Sequence, residues 1–489
     1  MTSPSPLDLL RRHFGHDSFR PDQQAVIEHV LAGNHAMVVM PTGMGKSICY
    51  QIPALTIPPD NAGPPESRGR DVVLVLSPLV ALMQDQVSSL QKRGIDAAFI
   101  NSSLDRSSRI DRYREVAEGK YRLLYVTPER FRKADFCEAI AKRHVKLLAI
   151  DEAHCVSQWG HDFRPDYSRV MDIRATVGNP PTIALTATAT AECRRDIYRQ
   201  IGIDESDIRL FYQGIERPNL TLDVLSVLGD AEKLEAITEC LNDPVYSGGS
   251  VIIYFSLIKT LSRFSDDLQR LGIEHDCYHG DLSSRVRRQV QDRFMFEDGD
   301  IVLATNAFGM GIDKEDIRIV IHAETPGSIE SYYQEVGRAG RDNQPSRCLW
   351  LYDQHDLMTQ MQFIEWSNPD AAFYGRLYDT LAEQNESCRA FGLEWLSGRL
   401  QRLSRHDHRL ATAMAILDRL DVVAGPQPPE CFEVTGPLPS RLKSDEVLSE
   451  KKRRDQQRLY AMVQFAAASG DRKTFLTQYF EGTAAGLTP

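Results

Sequence analysis

Two short constellations in this chain carry the residue types that chemistry on a phosphoanhydride needs. The first is Gly43, Gly45, Lys46 and Ser47 within one turn. Glycines at 43 and 45 let the backbone curl without a Cβ clash, so that successive N–H groups converge on an anion at a helix N-terminus. Lys46 would meet the β- and γ-phosphates, and the Ser47 hydroxyl would ligate the Mg²⁺ that bridges them. The second is the pair Asp151 and Glu152. One carboxylate would hold hydrated Mg²⁺ and the other would orient or deprotonate an attacking water. Neither is decisive alone: the full phosphate-loop pattern wants glycine where Met40 stands, and acidic pairs at strand ends are common. Together they predict hydrolysis of a nucleoside triphosphate.

Both constellations need strands to deliver them. Residues 36–40 are apolar and run straight into the glycine turn, and residues 145–150 run into the acidic pair. Further strand-like runs at 72–76, 123–126 and 182–185 alternate with helical patterns, the rhythm of a parallel sheet with crossover helices. Residues 7–33 read as one or two amphipathic helices broken near 14–24, and the Pro- and Gly-rich stretch 58–70 reads as a surface insertion. After residues 216–220 the series restarts, with strands near 251–255, 301–304, 317–321 and 348–351, which predicts a second α/β lobe. Near its end Arg338 and Arg341 stand three apart, on one face if the segment is helical. A solvated basic face and a pair of γ-phosphate ligands crossing the cleft are both open readings of them.

From about residue 367 the rhythm stops. Residues 373–423 look like three short helical segments, followed by a Pro-rich turn at 426–429 and a strand pair. That order suits a winged-helix module or a plain helical bundle. The basic run 451–458 fits a phosphate contact or, as such runs more often are, a solvated helix end.

At 489 residues and 42% hydrophobic the chain predicts two to four domains. No run approaches the ~18 apolar residues of a membrane span, and no basic segment followed by an apolar core opens the chain, so an intracellular protein is expected. Nine cysteines without any Cys-x-x-Cys read as buried thiols. A net charge of −11 excludes a uniformly basic nucleic-acid coat but allows positive potential confined to a groove.

These signals in this order resemble the RecQ family of superfamily 2 DNA helicases over residues 7 to about 366. Phe19, Arg20 and Gln23 are similar to the family's adenine-recognition motif; by pattern alone Gln23 is a surface helical residue. Residues 40–47, including Thr42, resemble motif I in a form that explains Met40. Ser77 and Thr127 lie in stretches similar to motifs Ia and Ib, which line the single-strand track in relatives. His154 completes an Asp-Glu-Ala-His box, and Trp159, Phe163 and Arg164 follow in what looks like the family's aromatic loop. Two such rings can stack on bases at ~1–3 kcal/mol each. Thr186 and Thr188 resemble motif III, His279 motif IVa, Thr305 and Asp313 motif V, and Gln334, Arg338 and Arg341 motif VI. The resemblance implies that the two arginines reach the γ-phosphate, Arg341 the better placed of them.

The C-terminal part departs from the family pattern. A block of roughly 80 residues follows Trp366, and only from residue 457 does the chain resemble the helices that open the family's zinc domain, with Asp471 near the first ligand cysteine's place. A structural zinc site takes four thiolate or imidazole ligands, so no zinc is expected. The expected architecture is therefore α/β, with RecA-like lobes at 1–214 and 215–366. A helical or winged-helix-like module at 367–445 and a truncated helical segment at 446–489 would complete it. The expected function is an ATP- and Mg²⁺-dependent 3′–5′ DNA helicase on single-stranded and forked DNA, serving recombination, repair or replication in a bacterial cytoplasm. Single-strand-binding or repair proteins are candidate partners. A translocase that separates strands poorly and an ATP-gated DNA-binding recruitment module are the alternatives, with an RNA helicase less favoured.

Overall fold

The computed structural model describes residues 4–57, 71–78, 80–101, 103–157, 167, 169–246, 248–297, 299–309, 312, 314–400, 407–425 and 430–482. The predicted insertion at 58–70 and the Pro-rich turn at 426–429 lie outside them. Seven strands form the first sheet: β1 His35–Val39, β2 Asp71–Leu76, β3 Ala97–Ile100, β4 Leu123–Val126, β5 His144–Ile150, β6 Thr182–Thr186 and β7 Ile208–Tyr212. Their order is β3-β4-β2-β5-β6-β1-β7, and every pairing is parallel. Parallel pairing forces crossovers, and the crossover helices cover both faces. Strand β2 shows the result, with Val72, Leu74 and Leu76 in one core and Val73 and Val75 in the other.

The second sheet holds β8 Leu220–Ser226, β9 Ser250–Tyr254, β10 Asp276–Tyr278, β11 Ile301–Ala304, β12 Ile317–His322 and β13 Ser346–Tyr352, in the order β10-β11-β9-β12-β13-β8. It too is parallel throughout. The first sheet's last strand ends at Tyr212 and the second's first begins at Leu220, so only residues 213–219 separate the two sheets. This is the expected pair of RecA-like parallel-sheet lobes.

Beyond them the chain is mostly helical: Ala371–Glu383, Asn385–Arg399 and Arg409–Arg419, then the antiparallel pair β14 Val423–Ala424 and β15 Glu433–Val434. The helix at 385–399 breaks at Gly392, whose φ of 68° is left-handed. This block has its own core of Phe373, Tyr374, Leu377, Met414 and Leu417.

Helices Asp445–Ala467 and Arg472–Glu481 behave differently. Their Met462, Phe465, Leu476, Tyr479 and Phe480 share one core with Trp350 and Tyr332 of the second lobe. Phe465 stacks on Trp350 with ring planes 11° apart. Asp471 accepts a hydrogen bond from the Thr474 N–H at 3.0 Å and so serves as a helix cap. Among the described residues, no helix is long and apolar enough to cross a membrane.

Candidate active site

Strand β1 delivers the chain into the glycine turn, where Gly43 and Gly45 take φ of 79° and 73°. Side chains strain in that region, so the turn needs glycine there. In this conformation the loop is folded on itself. Lys46 Nζ donates to the Met40 carbonyl at 3.1 Å. The Gln23 amide donates to the carbonyls of Met44 and Gly45, both at 3.0 Å, and accepts from the Arg20 N–H at 2.9 Å. Arg20 donates to the Gly43 carbonyl. Gln23 is thus a buried brace of the loop, not the surface residue that pattern alone suggests, and its amide would have to exchange partners to read adenine. Phe19 is half-buried against the same core as Val26 and Ile27.

Strand β5 delivers the carboxylates. Asp151 is buried, and its N–H donates to the Leu76 carbonyl at 2.8 Å. Burial pushes its carboxyl up to about 7, with the Glu152 charge adding and Lys46 opposing. Burial likewise lowers the Lys46 ammonium, against the pull of Glu152 and Asp151. Glu152 has φ 48° and ψ 49°, a left-handed conformation that a non-glycine residue holds only under constraint. Its Oε2 is buried without a hydrogen bond, 3.3 Å from His154 Nδ1. That nitrogen lies 2.9 Å from Thr186 Oγ1. The same nitrogen faces the Glu152 carboxylate oxygen, an arrangement that favours a hydrogen on Nδ1, and the Thr186 hydroxyl reaches on to the Thr188 carbonyl at 3.1 Å. A continuous chain of polar contacts therefore runs from Glu152 to Thr188.

The second lobe closes the site. Thr42 Oγ1 donates to the Gly337 carbonyl at 2.7 Å. A Cβ on Gly43 would stand 3.2 Å from Arg341 Cγ, and Arg341 lies close enough to Lys46 to depress its pKa further. Arg338 goes elsewhere: it is buried and donates to the Gly309 carbonyl of its own lobe. The expectation that both arginines share a helical face fails because the helix Ile329–Val336 stops before them and Gly337 caps it. In the turn that follows, the two side chains diverge. Gln334 lies on the last turn of that helix, half-buried.

One residue without a functional reading from the sequence organises this junction. Arg217, in the connection between the sheets, is buried and donates through Nη2 to the carbonyls of Ala339 at 2.8 Å and Gly340 at 2.7 Å. Its Nη1 lies 3.4 Å from the carbonyls of both Thr42 and Gly337. The Glu-Arg-Pro-Asn sequence at 216–219 marks a turn, and an arginine inside a turn was the available signal.

The residues expected along a nucleic-acid track gather at the C-terminal edges of the two sheets, where parallel α/β folds bind ligands. Ser77 follows β2, Thr127 follows β4, Thr186 ends β6, His279 follows β10 and Thr305 follows β11. Ser77, Thr127, Thr186, Thr188 and Thr305 are buried, so backbone groups and neighbouring side chains, not these hydroxyls, form the exposed rim. His279 is half-buried. Trp159, Phe163, Arg164 and Asp313 lie outside the described residues.

The site fits ATP with Mg²⁺. A loop of left-handed glycines beside a half-buried lysine suits a polyphosphate, and the buried Asp151 beside Glu152, whose Oε2 accepts no hydrogen bond, is a carboxylate pair that a divalent cation would neutralise. Ser47 opens the helix Ile48–Leu55 with no cap bond on its hydroxyl.

Comparison with known proteins agrees. Residues 20–196 match the DEAD/DEAH box helicase family and residues 232–343 the helicase conserved C-terminal domain. The chain is 42% identical over 361 residues to "ATP-dependent DNA helicase RecQ" of Bacillus subtilis (strain 168), covering 73% of this chain and 58% of that one. It is 37% identical over 364 residues to "Probable ATP-dependent DNA helicase RecS" of the same organism, covering 74% of this chain and 70% of the relative. The chain thus spans little more than half the length of the RecQ proteins it matches. In fold it is similar to the DUF1998 helicase MrfA bound to DNA, with a TM-score of 0.59, 18% identity and coverage of 72% of this chain and 51% of that one. It is also similar to Saccharomyces cerevisiae Dbp5 bound to RNA and ADP BeF3, with a TM-score of 0.58, 16% identity and coverage of 74% and 91%. On the strength of these sequence relatives and the two matched domains, the chain belongs to the RecQ family of ATP-dependent DNA helicases.

Proposed function

We propose that the protein is an ATP-dependent 3′–5′ DNA helicase that acts on single-stranded and forked DNA in recombination, repair or replication, in a bacterial cytoplasm. The observation that carries the reading is Arg341 of the second lobe standing against Gly43 of the first, within electrostatic reach of Lys46, which in turn feels the Asp151 and Glu152 pair. Both halves of a hydrolytic site meet at a lobe junction.

Lys46 would leave the Met40 carbonyl for the β- and γ-phosphates, and the loop N–H groups would cradle them. Ser47 and Asp151 would hold Mg²⁺, which when bound neutralises phosphate charge. Glu152 would orient the water and take its proton, and Arg341 would meet the charge that develops on the γ-phosphoryl oxygens. His154 and Thr186 link Glu152 to motif III, so a change at the phosphates reaches the nucleic-acid edge of the first sheet. Arg338, engaged with Gly309, serves the second lobe's own loop until closure re-aims it. Supply of DNA-separating surface falls to the 367–445 block, and no zinc is assigned to the helices after it.

Strand displacement on labelled partial duplexes tests this reading. Native protein should unwind a 3′-tailed but not a 5′-tailed duplex, and Glu152→Gln should lower turnover at least a hundredfold while retaining ATP. DNA-stimulated hydrolysis without displacement would favour the translocase, and absence of hydrolysis would refute both.

A further inference from the structure

An ion pair far from the nucleotide joins the 367–445 block to the first lobe. Arg132 closes the short turn Pro128–Arg132 that follows β4 and Thr127. Its Nη1 lies 2.6 Å from Oδ2 of Asp418, in the helix Arg409–Arg419. The carboxylate side chain is 6% exposed and the arginine 23%, so the pair is largely shielded from solvent. The Cys431 thiol donates to the other carboxylate oxygen at 3.6 Å. Beside it, Arg419 is packed near Asp196 of the first lobe. Asp196 in turn accepts the Ser157 hydroxyl at 2.6 Å. The block is therefore joined to the first lobe at the turn after β4, with Arg419 within electrostatic reach of Asp196 in the helix Ala191–Ile201.

The chemistry of this seat is that of an anion-binding site. Asp418 Oδ2 makes no aligned hydrogen bond, so the contact is an ion pair, the same charge pairing with which arginine meets a backbone phosphate. The turn supplies Arg130, Arg132 and Lys133 within four residues, in a chain whose net charge is −11. Arg130 is buried, with no hydrogen bond on Nε. The turn, which also holds Glu129, stands at the C-terminal edge of the first sheet, and the block sets a carboxylate on one of its cations.

We propose that Arg132 is a contact for a DNA backbone phosphate and that Asp418 occupies that position in the DNA-free protein, making the 367–445 block an intramolecular competitor of DNA. The proposal rests on the helicase reading. DNA must displace Asp418 to gain Arg132, so the apparent affinity is reduced by the fraction of molecules in which the pair is open. The block then swings from the first lobe while its neighbours at 445–482 stay in the second lobe's core.

Binding of a labelled oligothymidylate to the full chain, read by fluorescence anisotropy across a salt series, tests this. With the pair closed nine times in ten, Asp418→Asn tightens binding about tenfold. Arg132→Gln weakens it and lowers the slope of log Kd against log salt by about 0.7, the share of one phosphate on a single strand. On the Arg132→Gln background, Asp418→Asn changes nothing further. Hydrogen exchange on the native protein needs no variant: amides of residues 409–419 should exchange faster once the oligonucleotide is bound. Native binding that is unchanged or weakened by Asp418→Asn, or exchange at 409–419 that DNA leaves unchanged or slows, overturns the competitor while leaving the helicase reading intact. No binding by native protein or variants overturns both.

Discussion

Arg217→Ala is the perturbation that most directly separates positioning from mere stability. The wild-type guanidinium holds the turn bearing Arg341 by two short bonds, to the carbonyls of Ala339 and Gly340, at 2.8 and 2.7 Å. A charged hydrogen bond contributes roughly 1.5–3 kcal/mol, but burial depresses this arginine's pKa, so its removal also relieves a desolvation cost. The net loss of folding stability should be about 2–4 kcal/mol. The catalytic loss has a different origin. With both bonds gone the Ala339 carbonyl loses its anchor while the Gly340 carbonyl keeps only the Asn219 amide at 2.8 Å, and displacement of a charged ligand by about 1 Å costs about a hundredfold in rate. Steady-state ATP hydrolysis at saturating single-stranded DNA, run beside urea denaturation, should show kcat down about a hundredfold in protein that is still folded. Arg217→Lys should recover much of the stability and little of the rate, because an ammonium cannot span two carbonyls as a planar fork does. A kcat for Arg217→Ala within threefold of native, at whatever loss of stability, would refute the argument that Arg217 positions Arg341.

Two further outcomes concern the second lobe. Phe465→Ala removes a ring packed between Trp350, Tyr332 and Phe475 and should cost about 3–5 kcal/mol. Calorimetry should show the second lobe's transition lowered and the first's retained, and a loss below about 1 kcal/mol would refute a shared core. Burial pushes Asp356 up to about 6 from its ordinary 3.8, against the pull of Lys233. A raised folded pKa means that this group's contribution to stability is complete below about pH 4 and is lost as pH rises through 6. The gap is worth about 3 kcal/mol, so Asp356→Asn should flatten the stability profile between those values. An unchanged profile would refute it.

What could be read from the sequence was whatever local chain conformation dictates. Gly43 and Gly45 announce left-handed backbone, the runs entering Asp151 and the glycine turn announce buried parallel strands, and helix breakers near 14–24 separate the first two helices. The strands that escaped notice are short or lie at sheet edges. Strand β10 spans three residues, edge strand β3 spans four and begins with two alanines, edge strand β7 sets two exposed side chains between buried ones, and edge strand β8 buries only Leu220. Arg217, and the bracing role of Gln23, escaped for another reason: the partners are backbone carbonyls distant in sequence, and a carbonyl leaves no mark on residue identity.

The C-terminal region shows the same limit in its strongest form. Residues 445–482 read as an amphipathic helical segment, yet their apolar face completes the second lobe's core, so they form no separate unit. The 367–445 block, with a core of its own, is the reverse case: its interior was legible as three helices and a strand pair, while its seat on Arg132 was not. A polar contact between separately cored units is the kind of interface that can open. The block's own fold is thus set by local sequence, while its placement against the first lobe depends on a polar contact, Asp418 with Arg132, between residues far apart in the chain.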